Sequence, residues 1–262
     1  MPNLSRDVPP ARVALPVIVA ALVIEIALGL LQPTGGKPTI QGVSGWLIVA
    51  IQVLAFCLPP VVTILLYRAS LRITLRLNVP ARRFALPVLV AAPALAALLV
   101  YVQALWAKGL GSALPTGGTK AIGEALSAER PLQVLMLVLV VGLVPAVSEE
   151  LFFRGFLMQV LGTRWRPWIA IALTAGLFAV LHFDLVGMPT YIALGVWFGI
   201  LALVTDSLFW PVTAHLLHNG LDIIGRNVLP PDVFEVQAAW LPWASLACVG
   251  WAVWRVLGAT RR

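Results

Sequence analysis

Eight apolar runs, at about residues 13–31, 46–67, 84–106, 132–161, 168–185, 191–204, 210–224 and 240–257, fill most of this chain. A helix of ~20 apolar residues crosses the hydrocarbon of a bilayer. Within hydrocarbon a backbone must satisfy its own hydrogen bonds, which a helix does. The expected fold is therefore all-α: a polytopic membrane helical bundle of about eight transmembrane helices. Of the 262 residues 60% are hydrophobic and 11% charged, against ~25% charged in a soluble domain. Residues 1–262 read as a single integral membrane domain, without repeat or low-complexity tract.

Lysine and arginine bias orients such a bundle. Arg68, Arg72, Arg76, Arg82 and Arg83 share the connection between the second and third runs with no acid, so that loop is expected in the cytoplasm. Counting spans then places both termini, Arg164 and Arg166 on the same side, and the loop 32–45 outside. The compact size and arginine-rich loops fit a bacterial cytoplasmic membrane. The net charge of +7 belongs to this topology, and no nucleic-acid partner is expected. The first run reads as a retained signal-anchor helix. Trp46, Trp106, Trp168, Trp210 and Trp240 flank the runs as an interfacial belt would. Cys57 and Cys248 read as small buried thiols; their spacing fits neither a zinc knuckle nor a disulfide framework. The long outer connection 107–130 is rich in Gly and Pro, with a short surface helix expected at Ala121–Arg130.

A titratable group in hydrocarbon is costly unless paired or wetted, so each one is a functional candidate. Here they cluster in residues 130–225, the expected catalytic core. Glu150 and Arg154 are four apart on one helical face and can pair. Glu149 points ~100° away and is free to react. A solvated cluster at the cytoplasmic interface is the competing reading of this stretch. Pro145, one turn earlier, reads as a packing kink first and as an opening of the helix near the site second. Phe178 and His182 share a face of the next helix. Glu149 and His182 are nearly equidistant from the turn at Gly162–Pro167, which puts them at similar depth, able to meet. His215, His218, Asn219 and Asp222 form one polar stripe, expected to face a wet internal cavity. Asp206 reads as an ordinary loop residue, and Ser148 points away from the set.

Such groups suit hydrolysis. Glu149 is the candidate general base. His182 would orient the water or share a metal with Glu149, and His215 and Asn219 would donate to an oxyanion. No HExxH pair is present. For His218 both cavity lining and simple packing stand. The cytoplasmic ends of the fourth and fifth helices, near Arg164 and Arg166, favour a site in the cytoplasmic half.

Taken in order on successive helices, Glu149-Glu150-x-x-x-Arg154, Phe178-x-x-x-His182 and His215-x-x-x-Asn219 resemble the CPBP (ABI) intramembrane protease family, which includes the type II CAAX prenyl endopeptidases. The resemblance covers about residues 130–225. It implies an eight-helix-type fold around a polar cavity and a glutamate-dependent endopeptidase classed with metalloproteases. It implies that Glu149 is the main catalytic carboxylate with His182 beside it. His215 and Asn219 would hold the oxyanion or complete the site, and Glu150 and Arg154 would brace the cavity; Phe178 and His218 read as structural residues beside it. Zinc or another divalent metal on Glu149, His182 and His215 fits these donors, as does a metal-free site. The implied substrate is a membrane-embedded or lipidated peptide or protein. Two other functions compete: a non-catalytic immunity or peptide-binding factor of the same fold, and a proton-coupled transporter.

Overall fold

The computed structural model describes residues 7–31, 43–110, 127–128, 130–228 and 240–259. They form α1 (Ala11–Gly29), α2 (Gly45–Leu66), the short α3 (Leu71–Thr74), α4 (Arg82–Leu110), α5 (Pro131–Gly162), α6 (Pro167–Leu181), α7 (Met188–Thr205), α8 (Phe209–Val228) and α9 (Leu241–Gly258). Each of the eight apolar runs is a helix. Five of them, α1, α2, α4, α5 and α7, are long and apolar enough to cross a membrane, and α6 is apolar but only 15 residues long. The architecture is an all-α polytopic bundle. Most of the surface helix expected at Ala121–Arg130 falls outside the described residues.

Two apolar cores hold the bundle. One joins α1, α2, α5 and α6 around Phe152, Phe153, Phe156 and Phe178. The other joins α4, α7, α8 and α9 around Val88, Phe198, Leu201 and Val256. Large apolar side chains such as Leu15, Leu66, Leu89 and Trp254 stay exposed on the outer faces, as lipid contact requires.

Three wide π-helical turns interrupt the helices. Two precede prolines: Gln52–Cys57 before Pro59 and Pro60 in α2, and Val138–Leu143 before Pro145 in α5. Proline lacks an N–H and crowds the carbonyl four residues back, and in each case that carbonyl lies inside the wide turn. Pro145 therefore does more than kink a packed helix: it opens α5 one turn before Glu149. The third, Leu151–Leu157, starts directly after Glu150. Such turns concentrate at functional sites.

α6 and α7 touch almost backbone to backbone. A Cβ on Gly195 would lie 2.8 Å from the Ala175 Cα, and one on Gly199 2.9 Å from Ile171 Cγ2. Gly195-Val-Trp-Phe-Gly199 is the small-xxx-small spacing that permits close approach in membranes.

The two ends of the bundle are distinct. At the arginine-rich end, the buried Arg76 guanidinium donates to Ala202 O (2.8 Å), Asp206 Oδ1 (2.9 Å) and Gln159 Oε1 (3.1 Å). Asn78 Nδ2 donates to Asp206 Oδ2 (2.9 Å), and Ser207 Oγ to Asn78 O (2.8 Å). Burial pulls the Arg76 pKa below its ordinary value, and the Asp206 carboxylate opposes that shift. Asp206 is thus the hub of a clasp joining the arginine loop to the α7–α8 turn, not an ordinary loop residue. Trp210 departs from the belt as well: it is 6% exposed and donates to Ala81 O at 3.1 Å. Trp46, Trp168 and Trp240 do stand out from the bundle. Cys57 is half-buried and Cys248 exposed, so the expectation of two buried thiols fails. At the opposite end Trp106 Nε1 donates to Leu185 O (2.9 Å), and Ala128 N to Asn227 Oδ1 (2.6 Å).

Candidate active site

The Glu150–Arg154 pair lies at the centre of the bundle. Arg154 Nη1 donates to Glu150 Oε1 at 2.9 Å, and both residues are 0% exposed. A solvated interfacial cluster is thereby ruled out. Arg154 Nη2 donates to the Gly195 carbonyl at 3.0 Å, a contact that the close α6–α7 approach makes possible. The guanidinium sits over Phe178 at 4.7 Å, with Phe198 and Phe153 at 5.4 and 5.5 Å. Aromatic faces thus replace part of the hydration that a cation loses on burial.

Glu150 also fixes His215. The Nδ1–H of His215 donates to the same Oε1 at 3.0 Å. The ring stacks on Phe198 with centroids 4.9 Å apart and planes inclined by 19°. Nε2 is therefore the nitrogen that His215 presents to the site. It faces Glu149 Oε2 at 4.0 Å. That carboxylate oxygen is buried and has no hydrogen-bond partner among the described residues.

The other oxygen of Glu149 is held. Gln52 Nε2, on α2, donates to Oε1 at 3.0 Å. Gln52 Oε1 in turn accepts from Ser148 Oγ at 2.6 Å, so the amide cannot rotate without losing a bond. Ser148, pointing away from the reactive groups as its helical position requires, orients the residue that orients Glu149. Glu25, half-buried on α1, lies within electrostatic reach of Glu149 and has no hydrogen bond or ion pair among the described residues.

His182 ends α6. Its Nδ1–H donates to Phe178 O at 2.7 Å, and its ring stacks on Tyr191 at 3.9 Å. Tyr191 Oη approaches Asp184 Oδ2 at 3.4 Å. No hydrogen bond or ion pair joins His182 to Glu149 or His215 among the described residues. Phe178 stands between the imidazoles instead, its ring centroid 4.6 Å from that of His182 and 5.9 Å from that of His215. Asn219, half-buried one turn beyond His215, keeps its amide uncommitted among the described residues. His218 Nδ1 is buried without a partner among the described residues, and Asp222 pairs with Arg226 at 2.8 Å. Spacing within single helices thus predicted the Glu150–Arg154 pair. Gln52, Ser148 and Glu25 were missed, although an acid within the apolar run 13–31 was a readable signal.

A catalytic zinc takes three protein donors and keeps one position open. Among the described residues no three His, Cys, Asp or Glu side chains gather in that way. Glu149 and His215 approach each other, while His182 is engaged with Phe178 and Tyr191. The expected donor trio does not fit a three-ligand metal site as placed here.

The fold is an all-α membrane bundle with a buried acid–imidazole pair within it. Residues 131–221 match the model of the Rce1-like family, type II CAAX prenyl endopeptidases. Over 124 residues the chain is 27% identical to "Putative membrane peptidase YdiL" of Bacillus subtilis (strain 168), covering 45% of this chain and 49% of that protein. The chain thus spans about half the length of the curated relative it matches. No solved structure matches it significantly. The three motifs lie inside the matched stretch, and the two similarities together support the CPBP family.

Proposed function

We propose that this protein is an intramembrane endopeptidase in which Glu149 and His215 together activate a water. The observation that carries this reading is the unpartnered Glu149 Oε2 facing His215 Nε2 at 4.0 Å. An oxygen can sit ~2.8 Å from both atoms at once. With neutral His215 both atoms are acceptors, so the water donates one hydrogen to each and turns a lone pair outward. As that oxygen attacks a peptide carbonyl, Glu149 takes its proton. Asn219 Nδ2 donates to the developing oxyanion. The tetrahedral intermediate collapses with C–N cleavage, and Glu149 returns the proton to the departing amine. Two fragments leave, and the carboxylate is regenerated.

In this scheme His215 works on the water, not on the oxyanion. His182 lines the wall behind Phe178. Glu150 holds the Nδ1–H of His215, and Arg154 balances the charge of Glu150. The substrate is a membrane-embedded or membrane-associated chain, and the enzyme sits in the cytoplasmic membrane with both termini inside. The test compares peptide termini of membrane and secreted proteins in cells carrying wild type or Glu149→Gln. The expected result is a terminus present only with wild type. Identical termini, with any phenotype rescued by the variant, would overturn the protease reading in favour of a binding protein.

A further inference from the structure

Glu25 of α1 has no part in the reaction above, yet it stands at the depth of the active site. Asp7 O accepts from Thr74 Oγ1 and Gln159 Nε2 donates to Ile73 O, so the start of α1 meets the loop after α2 and the end of α5 at the arginine-rich end. Counted from that end, Glu25 is 14 residues after Ala11, Gln52 is 14 before Leu66, and Glu149 is 13 before Gly162. At ~1.5 Å per residue all three stand ~20 Å from it. Rotation about α1 is fixed by burial. Ala14, Val17 and Ala21 are the buried residues of the helix, and Glu25 continues their stripe one turn on. Val23 and Ile26 are exposed on the outer face. The inner face packs on the Gln52–Cys57 turn, whose Gln52 holds Glu149. Glu25 is within electrostatic reach of Glu149, and it is half-buried, so part of its surface stays open.

An acid so placed is costly without a partner. Ionised, Glu25 needs a cation; protonated, it carries an O–H that needs an acceptor. Among the described residues it has neither. The other two carboxylates are committed. Glu150 is bonded to Arg154 and His215, and Glu149 to Gln52, with its second oxygen facing His215. Three carboxylates, Glu25, Glu149 and Glu150, thus share one guanidinium, Arg154, which is wholly buried and paired. Arg12 lies 13 residues back along α1, ~20 Å away. A negative excess in an apolar enclosure draws in a cation from outside the chain. We propose that Glu25 is a specificity-determining residue, which takes the side chain of a substrate lysine or arginine beside the scissile bond. The inference rests on the protease reading and adds the substrate class: a membrane-associated chain with a basic residue next to the cleaved bond. An ammonium or guanidinium brings both the charge and the donors that two free carboxylate oxygens accept. Its aliphatic stem suits the apolar side chains of α1 on either side.

The test is a binding titration on purified full-length protein carrying Glu149→Gln, and it needs no hydrolysis. The probes are short, capped, fluorescein-labelled Leu/Ala peptides with one lysine, placed at each position in turn. Their counterparts carry norleucine there, which keeps the aliphatic stem and loses the ammonium. Read by fluorescence anisotropy, the lysine peptide should bind ~10–100-fold more tightly at one or two adjacent positions, the worth of a hydrogen bond to a charged group. Glu25→Gln should abolish that preference by weakening the lysine peptide alone. Glu25→Asp, which keeps the charge, should retain part of it. Glu25 has no partner among the described residues to lose, so both variants should melt as the parent does. Equal affinity for the two peptides at every position, or no binding of either, would overturn the proposal. So would a preference that survives Glu25→Gln, or one lost through weaker binding of both peptides. The terminus comparison reads cleavage by Glu149 and this titration reads charge at Glu25, so the two readings fail separately.

Discussion

Arg154→Met tests whether the buried pair braces the site. The substitution keeps most of the side-chain length and removes the charge. It leaves Glu150 wholly buried with His215 as its only remaining partner among the described residues, and it strips Gly195 O of its donor. Breaking a buried ion pair by removing one member costs about 3–5 kcal/mol. At about 2–4 °C per kcal/mol for a chain of this size, the melting point in detergent should fall by roughly 6–20 °C. Intrinsic tryptophan fluorescence gives the assay. The double variant Glu150→Leu, Arg154→Met removes both charges and refills the volume with apolar atoms, an exchange that is often near neutral. It should recover part of the lost stability, since the His215 Nδ1–H and the Gly195 carbonyl each stay unpaired at ~1–3 kcal/mol. Activity should stay absent, because the Nδ1–H of His215 no longer has its acceptor. Stability returning without turnover would separate bracing from chemistry. A single Arg154→Met protein as stable as wild type, or a double variant no more stable than the single, would refute the reasoning.

Glu149→Gln should lower turnover ~10²–10⁴-fold with the melting point unchanged, since its amide oxygen can still accept from Gln52; kinetics beside a melt check both. Gln52→Leu frees the Glu149 carboxylate to rotate and should reduce kcat ~10-fold with KM held, as steady-state kinetics would reveal. Gly195→Ala puts a methyl 2.8 Å from the Ala175 Cα and should cost ~1–3 kcal/mol. Gly162→Ala, with nothing within 4 Å, is its neutral control in the same melt. Asp206→Ala unties the clasp. Its side chain is 67% exposed, so solvent screening holds the loss to ~1 kcal/mol, readable as a small drop in melting temperature.

What was legible in the chain was what lies within one helix. The i, i+4 rule paired Glu150 with Arg154 and set Glu149 apart, and apolar length found each of the eight helices. Contacts between helices were less legible. Gln52 reaches Glu149 across 97 residues, and nothing in local spacing says which helices will be neighbours in the bundle. Glu149 and His182 were matched by depth, but depth ignores rotation about each helix axis, and Phe178 turned out to stand between the two histidines. Trp210 was taken for a belt residue by position along the chain, whereas the Ala81 carbonyl of the arginine loop, 129 residues earlier, decided its place. The Gly195–Gly199 spacing was readable and informative, since it locates the contact through which a main-chain oxygen of α7 reaches Arg154.

That oxygen has a consequence for how such a protein can change over generations. The third partner of the buried charge pair is a carbonyl that no substitution can replace, only move. Moving α7 outward by ~0.5 Å would stretch the 3.0 Å bond from Arg154 to the edge of hydrogen bonding. The interhelical gap at Gly195 is therefore a chemical setting as much as a mechanical one. Bulk added or removed at Ile171, Ala175 or Gly199, none of them a reacting group, would retune the charge that steadies His215.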